Sequence, residues 1–390
     1  MGAWARLTAL AAVAGTGLAV VSGAAGWGTA HRVLAAVALP PLAALAATAW
    51  VSSRRLLVPA LAALFLFGLA ALLTGRAEHL TFAALALAAT VLVAALVWRG
   101  EVVQGPARDY LTLTKPRIMS LLLLTGAAGF VVGAASVPAA GTFVATMLGL
   151  ALACGGASAL NHYLDRDIDR LMGSRTESRP VASGRVPAER ALEFGLALSA
   201  FSFVLLDSLV NLPTALLALA GNLFYVLVYT RWLKRSTVQN IVIGGAAGAV
   251  PPLVGYAGAT GHLSWAALGM FAIVFVWTPP HFWALALMLR EQYARAGVPM
   301  LPVARGERET AKQIVRYTVL LIAVTLVPVA LGAFGLVYAV AAVVLGAVFV
   351  WLALELRRTL ERRSAIRLFH YSLLYLALLF VAMAIGSVIA

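Results

Sequence analysis

Apolar runs of membrane-spanning length recur along this chain, at 7–25, 33–52, 56–75, 80–98, 118–136, 141–162, 189–208, 212–230, 240–259, 264–288, 316–334, 337–355 and 369–389, with short polar or charged connections between them. About 20 residues at a rise of ~1.5 Å cross the ~30 Å hydrocarbon core of a bilayer as a helix. In hydrocarbon no water bonds the backbone, and a helix satisfies its N–H and C=O groups internally. The pattern therefore predicts an all-α, polytopic transmembrane bundle of thirteen helices, four before residue 100 and nine after it. The run from Trp265 to Leu289 predicts a long tilted span, and its Pro279-Pro280 pair predicts a break that frees backbone beside a cavity.

Composition agrees with the pattern. The chain is 62% hydrophobic and only 11% charged, with a mean hydropathy of +0.95, which excludes a soluble domain and makes the lipid bilayer its solvent. A net charge of +14 invites a nucleic-acid reading, but the placement of the basic residues argues against that partner. From Arg99 onward every Lys and Arg lies in 99–117, 165–190, 231–239, 290–316 or 357–367, and the alternate connections near 137, 210, 261 and 335 carry none. This positive-inside pattern puts the basic loops on the cytoplasmic face of a bacterial inner membrane. Trp27, Trp50, Trp98, Trp232, Trp265 and Trp351 fall near predicted helix ends, as interfacial anchors do. The single Cys154 excludes an intrachain disulfide framework and reads as packing. Arg6 and the apolar run after it are read as a retained first span, because no convincing small-residue cleavage site precedes Trp27.

One stretch, Asn161-His162-Tyr163-Leu164-Asp165-Arg166-Asp167-Ile168-Asp169, places three carboxylates where an apolar span runs out. On a helix Asn161, Asp165 and Asp169 share a face, while Asp167 points away. Like charges so stacked repel, more so beside hydrocarbon, unless a hard cation carrying a phosphate ligand lies between them. Mg2+ is the expected ion, and a solvated helix end is the bland alternative. The chain also reads as a diverged tandem of four-helix units. A basic segment with Lys115 and Arg117, two spans and the acidic stretch are followed, after two more spans, by Arg231, Lys234 and Arg235, two spans and Glu291. Four helices per unit bring both acidic and both basic stretches to one side. Such a mouth suits an allylic diphosphate, whose leaving group is stabilised by a carboxylate-held cation with Lys and Arg, while the isoprenoid tail lies in a dry cavity below.

These residues carry a resemblance. Asn161-x3-Asp165-x3-Asp169, followed by Arg175-Thr176 and Arg179-Pro180, resembles the first aspartate-rich motif of the intramembrane aromatic prenyltransferase (UbiA) superfamily. Thr114-Lys115-Pro116-Arg117, the string from Tyr229 through Lys234-Arg235 and Asn240 to Gly245 with Pro251-Pro252, and Trp277-Thr278-Pro279-Pro280-His281-Phe282-Trp283 with Gly297-Val298-Pro299-Met300-Leu301-Pro302 are similar to its heme-farnesylating branch, over about 105–390. The resemblance implies transfer of a farnesyl group from farnesyl diphosphate to a vinyl group of heme b, water adding a hydroxyl. It implies Asn161, Asp165 and Asp169 as holders of Mg2+ and diphosphate, with Glu291 the matching acidic position in the second half. Lys115, Arg117, Arg179, Lys234 and Arg235 become candidates for diphosphate or a heme propionate, the alternative for each being positive-inside charge. His281 either contacts the heme iron or packs as a hydrogen-bonded core histidine, and His162 has the same pair of readings. Gly244, Gly245 and Gly248 either admit the prenyl chain or pack helices closely. The chain departs from the branch at Gln292, where an aspartate is common, leaving Glu291 as the sole carboxylate there.

Residues 101–390 are thus expected to form the nine-helix prenyltransferase domain and 1–100 a separate four-helix domain. In the latter, His31 and His79 open the second and fourth spans near the outer face, a layout similar to one four-helix half of heme A synthase. That implies a heme held between the two histidines, or a scaffold that docks a partner such as heme A synthase. Two rival readings remain for the whole: a related prenyltransferase acting on a quinone precursor or chlorophyll-type ring, against which the strings around His281 argue, and a cation-coupled transporter, against which the clustering of both acidic stretches at one mouth argues.

Overall fold

A computed structural model describes residues 107–135, 140–330 and 334–389, with 11–16, 38, 41 and 44 nearer the N-terminus. The four expected N-terminal spans otherwise lie outside the described residues, His31 and His79 with them. The chain divides into two compact units, Met1–Pro106 and Ala107–Ala390. The described residues of the second unit open with a short helix, Ala107–Leu113, and continue through nine spans: α1 (Pro116–Ala134), α2 (Ala140–Leu164), α3 (Ala188–Leu209), α4 (Leu212–Ser236), α5 (Asn240–Thr260), α6 (Trp265–Met288), α7 (Gly306–Ala330), α8 (Leu336–Thr359) and α9 (Arg362–Ile389). Among the described residues there is no strand. Length and apolar composition make this an integral, multi-pass membrane protein.

Successive spans pack as neighbours, and α9 returns against α1, so the helices form a ring. α5 packs on α1 and α2 as well as on α4 and α6, joining the two four-helix halves along the first helix of each. Small residues permit that contact. A methyl group on Gly255 would overlap the carbonyl oxygen of Gly126, and one on Gly129 would overlap the carbonyl of Pro252. In lipid, where burial of apolar surface drives little, such close backbone approach is what holds helices together. α2 and α3 use the same device at Gly156 and Gly195, reinforced by Ser202 Oγ donating to Gly149 O at 2.7 Å. The main core lies between α5 and α9, its largest sealed side chains being Tyr338, Phe349, Tyr375 and Phe380.

Three expectations need correction. α6 runs unbroken through Pro279-Pro280, because flanking helices on both sides hold the proline-containing turn in line. α7 starts ten residues earlier than its apolar run, since Lys312 and Gln313 pair with Glu309 one turn away and continue the helix beyond the hydrocarbon. α9 likewise starts at Arg362, with Arg367 bonded to Glu355 of α8 at 2.8 Å.

Gly255→Ala is expected to lower the thermal midpoint of the detergent-solubilised protein, by the ~1–3 kcal/mol typical of overpacking. Gly248→Ala is expected to leave it unchanged, because no atom lies within 4 Å of a Cβ there. A scan of both variants against the unsubstituted protein checks the pair.

Candidate active site

The acidic stretch lies where α2 gives way to a short helix, Arg166–Leu171. Asp165, at φ −89° and ψ 5°, makes the joint, yet the i→i+4 backbone bonds persist. Asp165 N donates to Asn161 O and Asp169 N to Asp165 O, both at 2.8 Å. Helical phase is therefore kept across the joint, and Asn161, Asp165 and Asp169 are at most 4% exposed. Asp167 turns outward, its side chain 60% exposed and paired with Arg235 at 2.7 Å. That bond is the main reason its carboxyl is pushed down to about 2.

Two carboxylates in such a place need positive partners. Asp165 Oδ2 accepts from Lys234 Nζ at 2.5 Å and from Asn161 Nδ2 at 2.7 Å. Asp169 Oδ1 accepts from Arg179 Nη1 at 2.6 Å. Asn161 Oδ1 in turn accepts from Lys115 Nζ at 2.7 Å. Burial, and next the Arg179 charge, press Lys115 down to about 7, while burial outweighs Arg179 and raises Asp169. The other oxygen of each aspartate, Oδ1 of Asp165 and Oδ2 of Asp169, is sealed without a hydrogen-bond partner. A buried carboxylate oxygen left bare is unfavourable by about 1–3 kcal/mol or more, and a hard cation is the ligand that oxygen donors of this kind accept.

Local backbone delivers these side chains. Lys115 adopts a left-handed conformation, φ 50° and ψ 59°, which strains a non-glycine residue by about 1–2 kcal/mol. The flanking bonds Lys115 N→Thr112 O and Met119 N→Lys115 O, both 3.1 Å, hold it there. The second half of α4 is π-helical from Phe224 to Leu233, a winding frequent at functional sites. It brings Thr230 against Asn161 Nδ2 at 3.2 Å, Lys234 to Asp165, and Arg235 to both Asp167 and Leu164 O, the latter at 2.8 Å. Thr176 Oγ1 ties the following loop to Asp169 O at 2.8 Å and so presents Arg179.

The structure thus brings together Asn161, Asp165, Asp169, Lys115, Arg179, Lys234 and Arg235. It leaves out three expected members. Arg117 is exposed, because two residues beyond Lys115 its side chain leaves the opposite side of the first turn of α1. Glu291 is exposed and makes no ion pair with the stripe, since on its short helix, Arg290–Arg295, it is Tyr293 that packs against the core. The segment after it does reach the first stretch, where Asp167, Ile168, Leu171, Arg235 and residues 296–298 line one hollow. His281 lies inside the bundle between α6 and α9, bonded through Nδ1 to Ser372 at 2.7 Å. Gly245 meets Thr278 and Gly244 meets the Tyr229 ring, so these two glycines pack helices closely, while Gly248 faces open space. His162 is sealed with both ring nitrogens unpartnered. Thr230 escapes a reading of the residues alone, since π-helical register leaves no mark in their spacing.

Among the described residues no three His, Cys, Asp or Glu side chains gather as a metal site. The oxygen set that fits a cation here is two carboxylates and Asn161, with a phosphate ligand needed to complete it.

Residues 122–384 match the model of the UbiA prenyltransferase family. A protoheme IX farnesyltransferase from Symbiobacterium thermophilum is 56% identical over 278 residues, 71% of this chain and 93% of that protein. One from Chloroflexus aurantiacus is 45% identical over 374 residues, 92% of this chain and 63% of that protein. One from Thermus thermophilus is 51% identical over 72% of this chain but only 46% of its own length. Among solved structures, a digeranylgeranylglyceryl phosphate synthase superposes with a TM-score of 0.61 at 18% identity, covering 73% of this chain and 99% of that one. A UbiA homologue from Archaeoglobus fulgidus with dimethylallyl diphosphate (DMAPP) and Mg2+ bound does so at 0.56 and 19%, covering 72% and 99%. At those identities the likeness shows a shared fold.

Lys234→Met is expected to destabilise the protein by about 3 kcal/mol, the lower end for breaking a buried pair, because it leaves the buried Asp165 carboxylate with only the more distant Arg235 at 3.8 Å as a cation. Adding Asp165→Asn to it is expected to recover most of that loss. Denaturant unfolding of the two single variants and the double in detergent checks the coupling.

Proposed function

The chain belongs to the UbiA prenyltransferase family, and from that premise we propose that it transfers the farnesyl group of farnesyl diphosphate to a vinyl group of heme b. The products are heme O and diphosphate. Relatives that carry the protoheme IX farnesyltransferase name along most of this unit support the acceptor and the donor. The observation that carries the site is the pair of sealed, bare carboxylate oxygens on Asp165 and Asp169, ringed by Lys115, Arg179, Lys234 and Arg235.

In this reading Asp165, Asp169 and Asn161 hold Mg2+, a choice supported by the Mg2+ bound in the Archaeoglobus fulgidus homologue. The ion supplies charge neutralisation to the diphosphate when bound. Lys234 and Arg179, released in part from the aspartates, turn to diphosphate oxygens, and Lys115, made easy to deprotonate by burial, regains a firm proton beside that anion. The allylic C–O bond breaks with its electron pair going to the diphosphate, whose charge these groups are placed to accept. The vinyl π pair forms the new C–C bond to farnesyl C1, water adds to the cation left beside the pyrrole, and its proton departs to the diphosphate. The apolar bundle below the rim excludes other water from the allylic cation.

In this reading the mouth faces the cytoplasm across an inner membrane, which the clustering of Lys and Arg in alternate connections supports. The N-terminal unit is proposed as a separate domain that holds a heme through His31 and His79 or docks a partner. Its share in the Chloroflexus alignment supports its belonging to the protein rather than to the transferase core.

Expression in a host without its own heme O pathway is expected to yield heme O by pigment extraction and mass analysis, and Asp165→Ala to reduce it at least 100-fold. Absence of heme O from the unsubstituted chain would defeat the assignment.

A further inference from the structure

The His281 ring is fixed more closely than packing requires. It lies about two turns, or ~10 Å, inside the Met288 end of α6. Trp277 stacks on one face at 4.4 Å and 16°, Phe369 stacks at 4.8 Å and 23°, and Phe282 meets its edge at 5.1 Å. These rings set its plane, and Nδ1, 2.7 Å from Ser372 Oγ, sets its rotation.

The direction of that last bond follows from counting protons. The Ser372 hydroxyl has one, which it donates to Phe369 O at 2.7 Å. Towards the imidazole it is left to accept, so Nδ1 carries the ring proton and Nε2 the lone pair. Ser372 is itself held in place, since its carbonyl accepts the indole N–H of Trp277 at 2.8 Å. Two bonds from α6 thus converge on one residue of α9. Nε2 has no hydrogen-bond partner among the described residues, and it is not sealed as both nitrogens of His162 are. A neutral imidazole with its N–H tied back and its lone pair free is the form that ligates iron, and the group receiving the N–H fixes the tautomer and raises ligand basicity.

We infer that Ser372 is a positioning residue for the acceptor: by accepting the Nδ1 proton it holds His281 in the tautomer whose Nε2 ligates the porphyrin iron. The inference rests on the heme reading of the proposed function. It assigns a task to α9, outside every motif singled out in the sequence, and to a hydroxyl that touches no substrate.

Titration of the purified full chain with ferric heme b, followed by absorption and electron paramagnetic resonance, tests it. The unsubstituted protein is expected to give an imidazole-ligated spectrum that His281→Gly loses and added imidazole restores. Ser372→Ala is expected to weaken heme binding about 10- to 100-fold, as loss of such outer partners does, and Ser372→Thr to retain it. Farnesyl diphosphate binding should be unchanged in all three variants, which separates positioning from misfolding. If Ser372→Ala binds heme b as the unsubstituted chain does, or if the spectrum survives in His281→Gly, the inference is wrong while the transferase reading stands. If the unsubstituted chain binds no heme b, the acceptor reading itself falls.

Discussion

Two buried carboxylates within one turn of each other at the edge of a bilayer constrain everything around them. Asp165 and Asp169 repel, and neither can be solvated, so cations must be brought to them from elsewhere in the chain. Lys234 comes from the end of α4, Arg179 from the loop after α2, and Lys115, through Asn161, from the entry to α1. These contacts fasten three separate helix ends to one another at one rim. Only part of the acidic charge is met in this way, and the oxygens left without a hydrogen bond are the feature on which the proposed cation site rests.

Below that rim the bundle obeys a different rule. Hydrocarbon removes the hydrophobic drive between helices, and the halves join where glycine lets backbones touch, at Gly126 and Gly129 against Gly255 and Pro252. The geometry of the mouth therefore depends on contacts deep in the membrane that carry no charge. The polar bonds that do occur there, from Trp277 and His281 to Ser372, join α6 to α9.

Much of this was legible in the residues. Apolar runs located the nine described spans to within a few residues except at the end of α4 and the starts of α7 and α9, where charged turns continue the helix without any apolar signal. Spacing of four put Asn161, Asp165 and Asp169 on one face and Asp167 on the other, as found. Arg117 and Glu291 were drawn in because charge type is visible in a sequence while the direction of a side chain on a short helix is not. The proline pair at 279–280 suggested a break because proline removes a backbone donor, but neighbouring helices decide whether the turn gives way. Ser372 was invisible, since one serine in an apolar span carries no pattern until its partners across the bundle are known.

The π-helical winding of α4 sets a limit on how this chain can vary. From Phe224 to Leu233 each turn contains more residues than an α-turn, so Thr230, Lys234 and Arg235 reach their partners only if the number of residues in that segment is kept. Removing one would rotate everything after it by about 100° and carry the Lys234 amine off Asp165. Insertions and deletions should therefore be as poorly tolerated in this greasy stretch as substitutions are among the charged residues it serves.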